Sequence, residues 1–156
     1  MRMAESSGNS RATSSRSSGP EMRGSVSAWL TRPPKRIRLR SGEVRVLPDT
    51  LLIGAMKSGT SSLHYYLTQH PQVIAPLRKE VHYFDLNFAR GESWYRANFG
   101  RAGQGGLNVD SSPYYLFHPL VPQRAHALVP HARLIVLLRD PVRRAYSHYW
   151  HARDKG

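Results

Sequence analysis

The chain has no cysteine, which removes a disulfide framework, a thiolate zinc site and a cysteine nucleophile together. It has no apolar run approaching the roughly 20 residues that span a bilayer, and its first 30 residues lack the apolar stretch of a signal peptide. A soluble, cytoplasmic protein with no membrane span is therefore expected. Acidic residues are scarce: 10 Asp and Glu stand against 23 Lys and Arg, a formal +13 that excludes an acidic surface and favours polyanionic ligands. The excess is uneven. Residues 1–45 hold 10 basic and 3 acidic side chains, residues 46–156 hold 13 and 7, so a nucleic-acid reading rests mostly on the first segment and no nucleic-acid partner is expected for the second. Apolar residues make up 40%, low for a chain packed throughout its 156 residues.

What is present falls into three stretches. Residues 1–27 are rich in Ser, Gly and Arg without apolar periodicity, and they are expected to be a disordered tail. Residues 28–48, with Pro33-Pro34 and the basic run Lys35, Arg36, Arg38 and Arg40, read as a solvated linker rather than a nuclear or RNA-binding tract. From residue 49 onward strands and helices alternate. Leu51 to Gly54 predicts a strand, and Leu63, Tyr66 and Leu67 recur at i, i+3, i+4 as a helix face. Val73 to Ala75 and Gly106 to Val109 predict short strands. Val121, Ala125, Leu128 and Val129 predict a helix, and Leu134 to Leu138 a buried parallel strand. Asp140-Pro141 then supplies an N-cap and a first-turn proline for a helix whose apolar stripe is Val142, Ala145, Tyr146, Tyr149 and Trp150. This order predicts an α/β fold: a mainly parallel sheet flanked by helices, with ligands at the carboxyl ends of the strands. Because residues 49–156 stop after one more helix, they are expected to be the N-terminal part of such a domain, incomplete at its C-terminus.

The segment Gly54-Ala-Met-Lys57-Ser58-Gly59-Thr60-Ser61-Ser62 joins the first strand to a helix, so backbone N–H groups and the positive helix end converge where an anion belongs. Its glycine spacing equals that of a Walker A loop, yet Thr60 follows the second glycine where that motif needs lysine. Lys57 instead sits inside the turn, suited to a 5′-phosphate and its bridging oxygen. Further on, Arg139 ends a predicted strand with a planar fork for phosphate, where a magnesium-binding aspartate would stand in a kinase or NTPase, and Ser147 lies on the next helix.

The first loop resembles the 5′-phosphosulfate-binding loop of sulfotransferases that use 3′-phosphoadenosine 5′-phosphosulfate (PAPS), and Leu138-Arg139-Asp140-Pro141 through Ser147 resembles their 3′-phosphate site. The resemblance covers about residues 50–154 and implies a P-loop nucleotide-hydrolase-like sulfotransferase fold with PAPS as cofactor. It also implies that Lys57, Ser58, Gly59, Thr60, Ser61, Ser62, Arg139 and Ser147 bind that cofactor, Lys57 acting in catalysis as well. Arg78-Lys79-Glu80-Val81-His82-Tyr83-Phe84-Asp85 resembles a segment of the glycosaminoglycan-type members, heparan sulfate enzymes among them, in which the matching glutamate is the proposed base. Glu80 takes that role by resemblance, as against a surface ion pair with Lys79 or Arg78. His82 is the catalytic orienter or else a packing residue, and Asp85 is placed with the substrate. Asn108-Val-Asp110-Ser111-Ser112-Pro113-Tyr114 is similar to a segment bordering the acceptor cleft, which makes Asp110, Ser112 and Tyr114 candidate substrate-binding residues. Asp110 replaces the usual glutamate and Ser111 stands where several heparan sulfate enzymes have lysine, so the acceptor is left as a carbohydrate or other small metabolite. Eight histidines lack the partners of a metal set, and no metal is expected. The alternatives are a P-loop kinase or NTPase, a basic nucleic-acid-binding protein and an inactive fragment.

Overall fold

The computed structural model describes residues 44–154. The expected tail, 1–27, and residues 28–43 of the expected linker lie outside the described residues. Residues 44–48 are part of the domain rather than a linker. Val46 N–H reaches Gly100 O at 3.1 Å, Ala102 N–H reaches Val44 O at 2.9 Å, and Arg45 and Arg101 form an antiparallel bridge.

The elements in chain order are β1 (Thr50–Gly54), α1 (Thr60–Gln69), β2 (Val73–Ile74), α2 (Glu92–Arg96), β3 (Leu107–Ser111), α3 (Val121–Leu128), β4 (Arg133–Val136) and α4 (Pro141–Arg153). The four strands form one parallel sheet in the order β2-β3-β1-β4, with Leu51 opposite Asp110 on one side and Leu134 on the other. This is the expected α/β architecture. β1 lies between β3 and β4, and the carboxyl ends of these three adjacent strands lead to Lys57, Ser112 and Arg139 respectively.

The core is rich in aromatic rings and is built largely outside regular elements. Val81, Tyr83 and Phe84 come from an irregular stretch between β2 and α2, and they pack with Leu51, Tyr95, Phe99, Tyr115, Val121 and Val129. Tyr83 stacks on Tyr95 with centroids 4.2 Å apart, while Phe84 meets Tyr95 and Tyr115 edge to face. Such pairs each add about 0.5–1.5 kcal/mol beyond the area they bury. The 81–84 stretch is therefore held like a core strand although it pairs with none.

Three apolar patterns point elsewhere than their periodicity predicts. The first part of the Leu134 to Leu138 run does form a parallel strand, β4, but it is not buried: Leu134 is 62% and Val136 43% exposed. β4 ends the strand order and hydrogen-bonds to β1 alone, so among the described residues it lacks the two-sided cover that a continuous apolar run presupposes. The stripe on α4 is likewise uncovered, with Val142, Tyr146 and Tyr149 all exposed and no residue of the helix buried. On α1, Tyr66 is 68% exposed and packs only its edge against Tyr65, whereas the buried residue is Thr60.

Candidate active site

The loop after β1 owes its path to two glycines for different reasons. A Cβ on Gly54 would stand 2.7 Å from Leu116 Cβ and 3.2 Å from Pro113 O, so the strand end lies flush against the turn after β3. Gly59 has φ +98 and caps α1 in the left-handed region, where a side chain would be strained. Lys57 also has a positive φ, 65, the kind of sparsely populated conformation that clusters at functional sites. Leu63 N–H is bonded to Gly59 O at 3.0 Å, and the N–H groups of the first turn have no intrahelical acceptor. No acidic side chain occupies that turn.

Lys57 and Arg139 are brought together across the sheet. Arg139 Nη1 donates to Lys57 O at 3.1 Å, which ties the loop after β1 to the end of β4. Asp140 caps α4 as expected, accepting from Arg143 N–H at 2.8 Å. Between loop and helix lies an open cleft of about 680 Å³ lined by Lys57, Arg139, Arg143, Tyr146, Ser147 and Trp150 among others. Three cationic side chains, two hydroxyls and aromatic rings thus face a single volume with one carboxylate, Asp154, a set suited to a phosphorylated nucleotide.

The remaining chemistry sits on the 79–85 stretch. Lys79 Nζ is 2.6 Å from Glu80 Oε1 and 3.0 Å from Ser61 Oγ in the first turn of α1. Glu80 Oε2 lies 3.5 Å from His82 Nε2, and His82 Nδ1 lies 2.6 Å from Asp85 Oδ2. A chain of contacts therefore runs from the anion loop through Lys79 and Glu80 to His82 and Asp85. Hydrogen bonding to Asp85 and then to Glu80 raises His82 to about 9. Hydrogen bonding from His82 and from Lys79 outweighs burial and lowers Glu80 to about 2. Burial alone would push the Asp85 carboxyl up, and the His82 bond holds it below its ordinary value. At neutral pH the trio is carboxylate, imidazolium, carboxylate.

The structure places the other candidate residues differently from one another. Asp85 directs its buried carboxylate to His82 and to its neighbour Leu86 N–H. Asp110 and Ser112, expected at the substrate, are fully buried, because β3 and the residue that follows it enter the core: Asp110 accepts from Ser112, Tyr95 and Tyr115 hydroxyls at 2.8–2.9 Å. Tyr114 is half-buried against Phe117 and His118. Thr60 is buried and Ser62 exposed, so within the loop it is Ser61 whose hydroxyl joins the network. Two participants escape sequence reasoning. Lys79 reads as a mere ion-pair partner until its ammonium is seen bridging two elements. His64, on α1, is hydrogen-bonded to Ser111 Oγ at 2.8 Å, and burial together with the Lys79 charge lowers it to about 4. Its placement one turn after Thr60 was the available signal.

The chain as a whole matches known proteins. The family model described as the sulfotransferase domain matches residues 47–156. A membrane-associated sulfotransferase, kil1, of Dictyostelium discoideum is 38% identical over 122 residues, which cover 73% of this chain and 26% of that protein. Human heparan sulfate glucosamine 3-O-sulfotransferase 6 is 40% identical over 105 residues, covering 67% and 30%. The crystal structure of a sulfotransferase from Alicyclobacillus acidocaldarius superposes with a TM-score of 0.60 at 35% identity, covering 70% of this chain and 52% of that one. The chain thus spans about a quarter to a third of the length of the two curated relatives. Among the described residues no helix is long and apolar enough to cross a membrane. With a family match running from before β1 to the last residue, the chain belongs to the sulfotransferase family.

Proposed function

We propose that this chain carries the donor site and the base of an enzyme that moves a sulfuryl group from PAPS to an acceptor hydroxyl, on a carbohydrate or other small metabolite. One observation carries the reading: Lys79 touches both the first turn of α1 and Glu80, so the base candidate lies within one lysine's reach of the anion loop. The residues present fit such a donor. Ser58 Oγ is buried in the loop with no hydrogen-bond partner, a polar atom that a phosphosulfate oxygen would satisfy. Lys57 and the loop amides of residues 58–62 would hold the 5′-phosphosulfate, and Arg139 with Ser147 the 3′-phosphate.

The donor, when bound, supplies a sulfuryl group activated by its bond to phosphate. This chain's residues do the rest. Lys57 places a positive charge on the leaving side, where the bridging oxygen gains negative charge as the S–O bond to phosphate breaks. Glu80 takes the proton of the acceptor hydroxyl as its oxygen bonds to sulfur. A carboxylate held near 2, first by His82 and then by Lys79, is a weak base, so Lys79 has to leave Glu80 and the His82 contact has to loosen for that step. Ser61 already offers Lys79 a second contact, and an anion in the loop draws the ammonium the same way. His82, kept protonated by Asp85, orients the freed carboxylate.

The test is calorimetric titration of the full chain with adenosine 3′,5′-bisphosphate, AMP and ATP without magnesium. The bisphosphate is expected to bind at least tenfold more tightly than AMP, because Arg139 and Ser147 read the 3′-phosphate. Equal affinities would overturn the assignment.

A further inference from the structure

Asp110 is a fully buried carboxylate that forms no ion pair with any described residue, and the reaction as drawn does not use it. Burying such a group is costly unless its hydrogen bonds do something an apolar side chain of similar size would not. Its two oxygens accept three hydroxyl protons: Oδ1 from Ser112 at 2.8 Å, Oδ2 from Tyr95 at 2.9 Å and from Tyr115 at 2.8 Å. Because each hydroxyl has only one proton and gives it to Asp110, its lone pairs are left facing outward as acceptors. Two of them are used at once. Ser112 Oγ accepts His82 N–H at 3.1 Å, and Tyr115 Oη accepts Tyr83 N–H at 2.9 Å and Phe84 N–H at 3.4 Å.

Those three N–H groups belong to the stretch that carries the base. Glu80 and His82 have φ of 58 and 52, left-handed conformations that non-glycine residues keep only where the surroundings over-determine them. No strand pairing holds this stretch, so its backbone donors depend on the two hydroxyls. We propose that Asp110 is a positioning residue: by orienting the Ser112 and Tyr115 hydroxyls, it clamps residues 82–84 and thereby sets the directions in which Glu80 and His82 project. The clamp deepens the sulfuryl-transfer reading, on which its effect on turnover rests, but its structural part stands without it. Tyr95 provides an internal control, since its hydroxyl binds the same carboxylate yet holds no backbone N–H of that stretch.

The experiment compares the full-length variants Asp110→Asn, Ser112→Ala, Tyr115→Phe and Tyr95→Phe with wild type. Three readouts are taken: NMR titration of the His82 ring, single-turnover transfer from labelled PAPS with bisphosphate affinity measured alongside, and thermal melting. An amide at position 110 has to donate to one hydroxyl, which reverses one arm of the clamp. Ser112→Ala cuts the arm to His82 alone and carries the test if Asp110→Asn does not fold. Expected for Ser112→Ala is a His82 titration moved from about 9 toward the ordinary 6.5, and turnover lower by about 10–10²-fold with bisphosphate affinity unchanged. Tyr95→Phe is expected to melt earlier while keeping both the titration and the turnover. The proposal is overturned if Ser112→Ala melts earlier but keeps the wild-type titration, or if Tyr95→Phe shifts the titration as far as Ser112→Ala does. If wild type shows no transfer while the Ser112→Ala titration still moves, the clamp stands and the sulfuryl-transfer reading is what fails.

Discussion

In the proposed function Glu80 is the residue on which transfer, as opposed to nucleotide binding, would depend. It has a cation on both sides, Lys79 at 2.6 Å and His82 at 3.5 Å, and its carboxyl is lowered to about 2. Glu80→Gln keeps the shape and can still meet Lys79 through its carbonyl, but it cannot take a proton. Single-turnover transfer is therefore expected to fall by about 10²–10⁴-fold with bisphosphate affinity unchanged. Unchanged transfer would leave Glu80 as an ion-pair partner of Lys79, a surface contact worth about 0–1 kcal/mol. Equal loss of transfer and binding would mean that the variant disturbs the loop through Lys79 and Ser61.

At the scale of elements, the loop after β1 is held where three pieces of chain meet at the end of that strand. The loop leaves the strand at Gly54, turns back at Gly59 into α1, and is tied to β4 by Arg139. Gly54→Ala tests the tightest of these contacts. Its new methyl would lie 2.7 and 2.9 Å from Leu116 and 3.2 Å from Pro113 O, and the 113–116 turn cannot withdraw without disturbing Tyr115 in the core. Overpacking of this kind costs about 1–3 kcal/mol, and it should appear as a lower melting temperature. A melting temperature equal to wild type would show that the turn gives way freely. The same closeness packs the turn after β3 against the strand that leads into the loop.

The whole domain should have a stability optimum set by its histidines. His82 is raised to about 9 in the fold, so it favours the folded state fully below its unfolded value of 6.5, and that contribution is lost as pH rises through 9. His64 is lowered to about 4, so the unfolded chain takes its proton first, and stability is lost as pH falls from 6.5 through 4. Glu80 adds to the acid limb, its contribution present above 4.5 and lost as pH falls through 2. Melting temperatures measured across pH 4–9.5 are thus expected to peak near neutrality. His64→Asn should flatten the acid side and His82→Asn the alkaline side. A curve unchanged by either substitution would show that these rings titrate alike in folded and unfolded chains.

Local chemistry wrote much of this molecule into its sequence. The strand-loop-helix of residues 50–69 and the Asp140-Pro141 start of α4 depend on turn geometry, capping and side-chain type, all of which act over a few residues. Periodicity likewise marked Val121 and Val129 as core. Long-range packing decided the rest. Asp110 and Ser112 look like cleft residues as a string of polar letters, yet β3 and the residue that follows it enter the core, where three hydroxyls satisfy one carboxylate. Val81, Tyr83 and Phe84 show no strand or helix period because their burial comes from Tyr95 and Tyr115, distant in sequence. Lys79 and His64 acquire their roles only when α1 is laid beside residues 79–82 and the end of β3. The uncovered run on β4 is the converse case. A pattern states which side chains would gain from burial, and only the neighbours assembled around them determine whether they obtain it.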